Sequence, residues 1–217
     1  MEAVQAVLRV HRKDAGSGLH DRLSWGWGWF FSGVGGVKPT FLMLVGCLIL
    51  GACAQPRISL TYVPQNTQEL EGALTVDDFG YFPPEGVAQD EIEEAALGSL
   101  HLTEPVGRFV AVAVAQELRV AGVKLRGDCR LTGEVNRFRL NSLGFSSDYM
   151  TDIRYILYGS DGTALLDSTY GTKFNASKFV PAEVIIANLN KLVSDNIGQL
   201  LRDPGFRQGL EDECPVT

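Results

Sequence analysis

The sequence predicts an α+β domain built on an antiparallel sheet, in the order β-α-β-β-β-α, with two helices packed on one face. Three observations predict it. Two segments repeat apolar residues at helical spacing, three strand-like segments alternate with period two between them, and a further strand precedes the first helix. We place this single domain at residues 72–203, within a chain of 217 residues and net charge −7.

The first strand is read at Gly72–Phe79, ending on the polar pair Asp77 and Asp78. Residues 81–102 read as a connection, with Pro83-Pro84 and the carboxylates Asp90, Glu91, Glu93 and Glu94, best described as a solvated loop with a helical turn. Thr103 is placed to cap a helix starting at Glu104-Pro105. Its buried stripe is Val106, Val110, Ala113, Val114, Leu118 and Ala121, and Gly122 ends it.

The next strand, Cys129–Leu140, alternates through Leu131, Gly133 and Val135 and then changes parity at Phe138 and Leu140. That change predicts a bulge near Asn136-Arg137. Tyr149, Thr151, Ile153, Tyr155 and Leu157 line one face of the following strand. Asp161-Gly162 supplies a hairpin turn, and Ala164, Leu166, Ser168, Tyr170, Thr172 and Phe174 continue one face of the last strand. A second helix runs from about Pro181 to Arg202, buried along Ile185, Leu189, Leu192, Val193, Ile197 and Leu200, and Asp203-Pro204-Gly205 stops it. Residues 204–217 are left as a tail.

Ahead of the domain stands an apolar run, FLMLVGCLIL at residues 41–50, preceded by Lys38 and closed by Gly51, Ala52 and Cys53. It is about half as long as the ~20 residues of a spanning helix and reads as a secretory signal. Leu50-Gly51-Ala52-Cys53 resembles the lipobox of bacterial lipoproteins, which implies that Cys53 receives the lipid and becomes the first residue of the mature chain. Cys47, followed by Leu48 and Ile49, is the poorer candidate. Ala54 after the Cys, where the family pattern uses Asp for inner-membrane retention, points to the periplasmic face of the outer membrane.

Residues 1–52 are thus leader and signal, and 53–71, with Pro56 and Pro64, read as a tether with a short strand at Ile58–Val63. The leader exceeds the usual length of a signal peptide. An internal start, for instance at Val37, or an unusually long leader accounts for this. Trp25, Trp27 and Trp29 all lie in it, so the mature chain has no tryptophan.

Residues 53–217 carry 14 basic and 23 acidic side chains, a net of −9. So acidic a chain argues against nucleic acid as partner and leaves membrane attachment to acyl chains. No phosphate-binding glycine loop or G-x-S-x-G elbow occurs. His101 is the single His after Cys53 and reads as solvated or capping. Asp77 and Asp78 read as turn chemistry, because neighbours on a strand point to opposite faces. Cys129 and Cys214 are candidates for a disulfide in an oxidising compartment, and two thiols without a nearby His make a poor metal site. No cofactor or metal is expected.

On the strand face away from the helices, Arg130, Arg137, Arg139 and Arg154 share strands with Glu134 and Asp152, which predicts cross-strand ion pairs. Met150, Arg154, Ile156 and Tyr158 on that face are the candidate surface for a partner or lipid contact, being more apolar than a solvated face requires.

The strand opening ALTVDDF, the helix closing ELRVAGV and the hairpin YGSDGTALLDSTY, behind a lipobox, resemble small periplasmic lipoproteins of the YajG-like type. They are also similar to lipoprotein components of lipid export and auxiliary lipoproteins of ABC-type transporters. The resemblance covers residues 72–203. It implies an interaction or assembly role and brings no catalytic residues with it. The expectation is a noncatalytic, lipid-anchored envelope protein that serves as an accessory subunit of a transport or assembly system. The alternative is a periplasmic ligand-binding or structural lipoprotein without a stable protein partner.

Overall fold

A computed structural model describes residues 57–94 and 100–216. All belong to one unit, Ala54–Thr217. Cys53, Cys47 and the apolar run lie outside the described residues. In chain order the elements are β1 (Arg57–Ile58), β2 (Ala73–Tyr81), β3 (Glu91–Glu94), β4 (Leu100–Leu102), α1 (Val106–Val120), β5 (Lys124–Asn141), β6 (Ser146–Tyr158), β7 (Ala164–Ser177), α2 (Ala182–Arg202) and α3 (Pro204–Glu213).

The fold is α+β, but the sheet is mixed and the order differs from the expected one. The described strands form one open seven-stranded sheet, running β1-β4-β3-β5-β6-β7, with β2 also paired to β5. β5, β6 and β7 make the expected antiparallel meander. β2 and β3, however, both lie parallel to β5. The 18-residue length of β5 makes this possible. Its first part pairs with β2 up to Val135, and Arg139–Leu140 pairs with β3. A parallel neighbour needs a long crossover, and the segment between β2 and β5, with α1 in it, supplies one.

The predicted bulge is present, since the β5–β6 register shifts between Val135 and Arg137. It lets Leu131 and Val135 before it, and Phe138 and Leu140 after it, all enter the core. The turn at Asp161-Gly162 is also present. Gly162 has φ of 85°, a conformation that only glycine adopts at little cost, and Asp161 accepts from the Thr163 backbone N–H at 2.9 Å.

Several element boundaries are corrected. β2 does not stop at Asp77-Asp78 but bulges there and continues to Tyr81. Thr103 does not cap α1. Pro105 is the N-cap, and the free N–H of Val106 donates to the Gln89 carbonyl at 2.9 Å. The described residues of 81–102 contain β3 and β4, where a solvated loop was expected. Residues 204–217 are not a plain tail, because Asp203 ends α2 and at once caps α3 by accepting from the Phe206 N–H at 3.0 Å.

The helices cover one face of the sheet. Between them and the strands lie Phe109, Phe138, Tyr149, Tyr155 and Phe206, all essentially buried; each such side chain contributes about 1.5–3 kcal/mol relative to exposure. α1 rides close to β2 at Gly107, where a Cβ would sit 2.1 Å from the Phe79 carbonyl oxygen, so no larger residue fits there. α2 is keyed to the sheet by Asn196, which accepts from the Tyr155 hydroxyl at 2.8 Å and donates to the Tyr170 carbonyl at 2.7 Å. No helix among the described residues is long and apolar enough to cross a membrane.

Candidate functional site

The period-two pattern of β6 puts Met150, Arg154, Ile156 and Tyr158 on the sheet face opposite the helices, each half-buried. Register sets their neighbours. Arg139 and Lys173 flank Met150, Glu134 and Thr169 flank Arg154, Thr132 and Asp167 flank Ile156, and Arg130 and Ala164 flank Tyr158.

The predicted cross-strand ion pairs are there. Arg137 meets Asp152 at 3.3 Å, Arg139 meets Glu93 at 3.2 Å, and Lys173 meets Asp148 at 3.4 Å. Arg154 is the centre of the lattice. It grips both oxygens of Asp167 at 2.7 and 2.6 Å and reaches Glu134 at 3.1 Å. Arg130 binds Asp77 at 3.1 Å and lies over the Tyr158 ring, 5.4 Å from its centroid. The apolar side chains are therefore separate points inside a charge lattice, not a continuous patch.

The lattice moves carboxyl titrations. Hydrogen bonds from Arg154 hold the Asp167 carboxyl below its usual range, and hydrogen bonds from Asn175, then Lys173, do the same for Asp148. A depressed folded pKa means a contribution that is complete above the unfolded value, about 3.9, and lost as pH falls through the folded one. Both groups are solvent-exposed, so the effect on stability is screened. By carboxyl-resolved NMR, Asp167 is expected to titrate below that ordinary value and to move back toward it in Arg154→Gln. An unchanged midpoint in the variant would show that Arg154 does not hold it.

The other candidates scatter. Asp77 points to Arg130 of β5 and Asp78 to Arg108 of α1 at 3.7 Å, so the two carboxylates do not converge. His101 is neither solvated nor a cap. It sits in β4, 16% exposed, with its Nδ1 3.9 Å from Asp90, which also faces Arg57 at 3.3 Å. Cys129 in β5 and Cys214 after α3 are joined by a disulfide across 85 residues, and both are buried. No group of three or more metal-ligating side chains occurs among the described residues.

One cluster was not read from the sequence. Glu117 of α1 is fully buried and accepts from the Tyr62 hydroxyl, the backbone N–H groups of Gln65 and Asn66 at 3.0 and 3.2 Å, and the Ser194 hydroxyl of α2 at 3.2 Å. Burial, then the bond to Glu117, pushes the Tyr62 hydroxyl far above its ordinary pKa, so it remains a donor. Leu60, Tyr62 and Leu70 are buried as well. From Arg57 onward, the stretch read as tether is clasped onto the helical layer. A lone Glu inside an apolar helical stripe is the only sequence signal for it.

No family model and no curated relative matches this sequence. Among solved structures the chain is similar to protein XCC0632 of Xanthomonas campestris, of family model DUF330, at 13% identity and TM-score 0.55, over 71% of this chain and 95% of that one. Lower likenesses include a PelC dodecamer from Paraburkholderia phytofirmans, at 13% identity and TM-score 0.40, over 67% of this chain and 97% of that one. Another is a minor lipoprotein of Acinetobacter baumannii, at 12% identity and TM-score 0.37, over 67% of this chain and 98% of that one. At these identities the likeness is one of fold, and it is the fold of XCC0632 that this chain shares.

Proposed function

We propose that this chain is a noncatalytic lipoprotein of the bacterial envelope, anchored through Cys53, that serves as an accessory or interaction subunit of an envelope transport or assembly system. The observation that carries the reading is the order of apolar run, Gly51-Ala52 and Cys53 immediately ahead of a folded domain. The Cys129–Cys214 bridge supports it, because such bridges persist in oxidising compartments outside the cytosol. Ala54 favours the outer membrane. The lattice around Arg154, with Met150, Ile156 and Tyr158 between its ion pairs, is the surface a protein partner would meet.

The anchor is testable directly. Cells fed labelled palmitate are expected to label the mature protein, and the Cys53→Ser form is expected to be unlabelled and unprocessed. Equal labelling of both forms would overturn the assignment of Cys53.

A further inference from the structure

We infer that the β5–β6 turn and the β7–α2 connection form an apolar tip that inserts into the lipid surface holding the acylated Cys53, setting the domain upright on the membrane. The inference rests on the lipid-anchor reading above. Phe145 is 95% exposed, Phe179 82% and Leu143 64%, although large apolar side chains are among those most often buried. The three belong to one place. Ser146 pairs with Ser177 at the end of the β6–β7 ladder, and the Lys178 ammonium donates to the Ser142 carbonyl at 2.6 Å, tying the two connections together. Loop residues of this kind sit at the headgroup boundary when a membrane is near.

Strand direction says which surface lies at this end. β1 is parallel to β4, β4 antiparallel to β3, and β3 parallel to β5. β1 therefore runs against β5, and a twist of about 20–25° at each of three steps leaves the two roughly 105–120° apart, so β1 keeps a component directed against β5. The chain thus enters β1 from the end of the sheet that bears residues 142–145. Arg57 pairs with His101, which pairs with Glu91, and this places it near the level of Arg137. From there to Ser142 is about 16 Å at strand rise. Four residues lead from Cys53 to Arg57, a reach of at most about 14 Å. A lipidated Cys53 therefore cannot hold the domain far from the bilayer, and the end of the sheet at which β1 begins is the one carrying Phe145.

In a chain of net −9 after Cys53, residues 142–147 and 176–181 contain no carboxylate and one Lys, with Asp148 and Glu183 flanking them in sequence. From the neighbouring strand, Glu94 accepts from the Ser142 N–H at 3.2 Å. The two segments carry less negative charge than the chain as a whole, which lowers but does not remove repulsion by an anionic headgroup layer.

The test uses the absence of Trp from the mature chain. Phe145→Trp and, separately, Phe82→Trp are made in the full-length gene, and the lipidated proteins are reconstituted into phosphatidylethanolamine–phosphatidylglycerol vesicles with and without brominated acyl chains. Phe82 is 59% exposed and follows β2, far from the tip along β5. The expected result is flotation of both proteins with the vesicles, blue-shifted emission from the Phe145→Trp form with most of it lost to brominated lipid, and no such loss from the Phe82→Trp form. Flotation with equal, negligible quenching in both forms overturns the tip while leaving the anchor standing, and leaves a protein partner as the occupant. Failure of both to float overturns the anchor, and this inference with it.

Discussion

Replacing Cys129 and Cys214 together by Ala is expected to lower the unfolding free energy by about 4–5 kcal/mol, the loop-entropy value for a bridge spanning 85 residues. The bridge fastens the end of α3 to β5, beside the Ala73 N–H that donates to the Cys214 carbonyl at 2.8 Å. Phe206 and Leu210 hold α3 by burial and Arg207 donates to the Glu69 carbonyl at 3.2 Å, so loss of the bridge leaves a ten-residue helix with few other anchors. Guanidinium titration of the oxidised wild type, the reduced wild type and the double variant checks this. The last two should agree with each other and fall well below the first. Equal midpoints for all three would mean that the unfolded chain gains nothing from the cross-link.

The second large effect is expected at Glu117. Glu117→Leu removes the acceptor shared by Tyr62, Gln65, Asn66 and Ser194. Each buried donor left without a partner costs about 1–3 kcal/mol, and water can reach the half-buried backbone groups at 65 and 66. A net loss of roughly 3–5 kcal/mol follows from the donors left unpaired. Tyr62→Phe removes a single bond and should cost about 1 kcal/mol. Amide exchange distinguishes this from a general weakening. In Glu117→Leu the amides of 65 and 66 should lose protection before those of β5 and β6. Uniform loss across the sheet would contradict the clasp.

The legible parts of the fold were those written in local periodicity. The meander was readable because β5, β6 and β7 alternate cleanly, and the parity change at Phe138 has no cheap explanation other than a bulge. The hairpin turn was readable because Asp161-Gly162 carries its own backbone chemistry. The parallel pairings of β2 and β3 were not readable, since partner choice depends on the spare length of β5's edge and no residue of β2 records it. Asp77-Asp78 looked like a strand end because a bulge that feeds two separate ion pairs has the composition of a turn.

α3 was hidden by a double signal. Asp203-Pro204-Gly205 does end α2, but Asp followed by Pro is also a good helix start. Thr103 shows the reverse case, in which a suitable capping residue was displaced by the distant Gln89 carbonyl. In the candidate site, the charge lattice around Arg154 was visible in the alternation of Arg, Glu and Asp. The Glu117 clasp was not, because its donors are mostly backbone groups and a Tyr more than fifty residues away.

Under the proposed function the domain works as a membrane-tethered subunit that docks another envelope component. The most direct test is in vivo crosslinking of the tagged protein, gentle solubilisation of membranes, and mass spectrometry of what is retained, with the Cys53→Ser form beside it. The account predicts recovery of one transport or assembly complex with the wild type and its loss with Cys53→Ser. Retention of lipid or a small molecule, with no protein enriched over the Ser form, would contradict it.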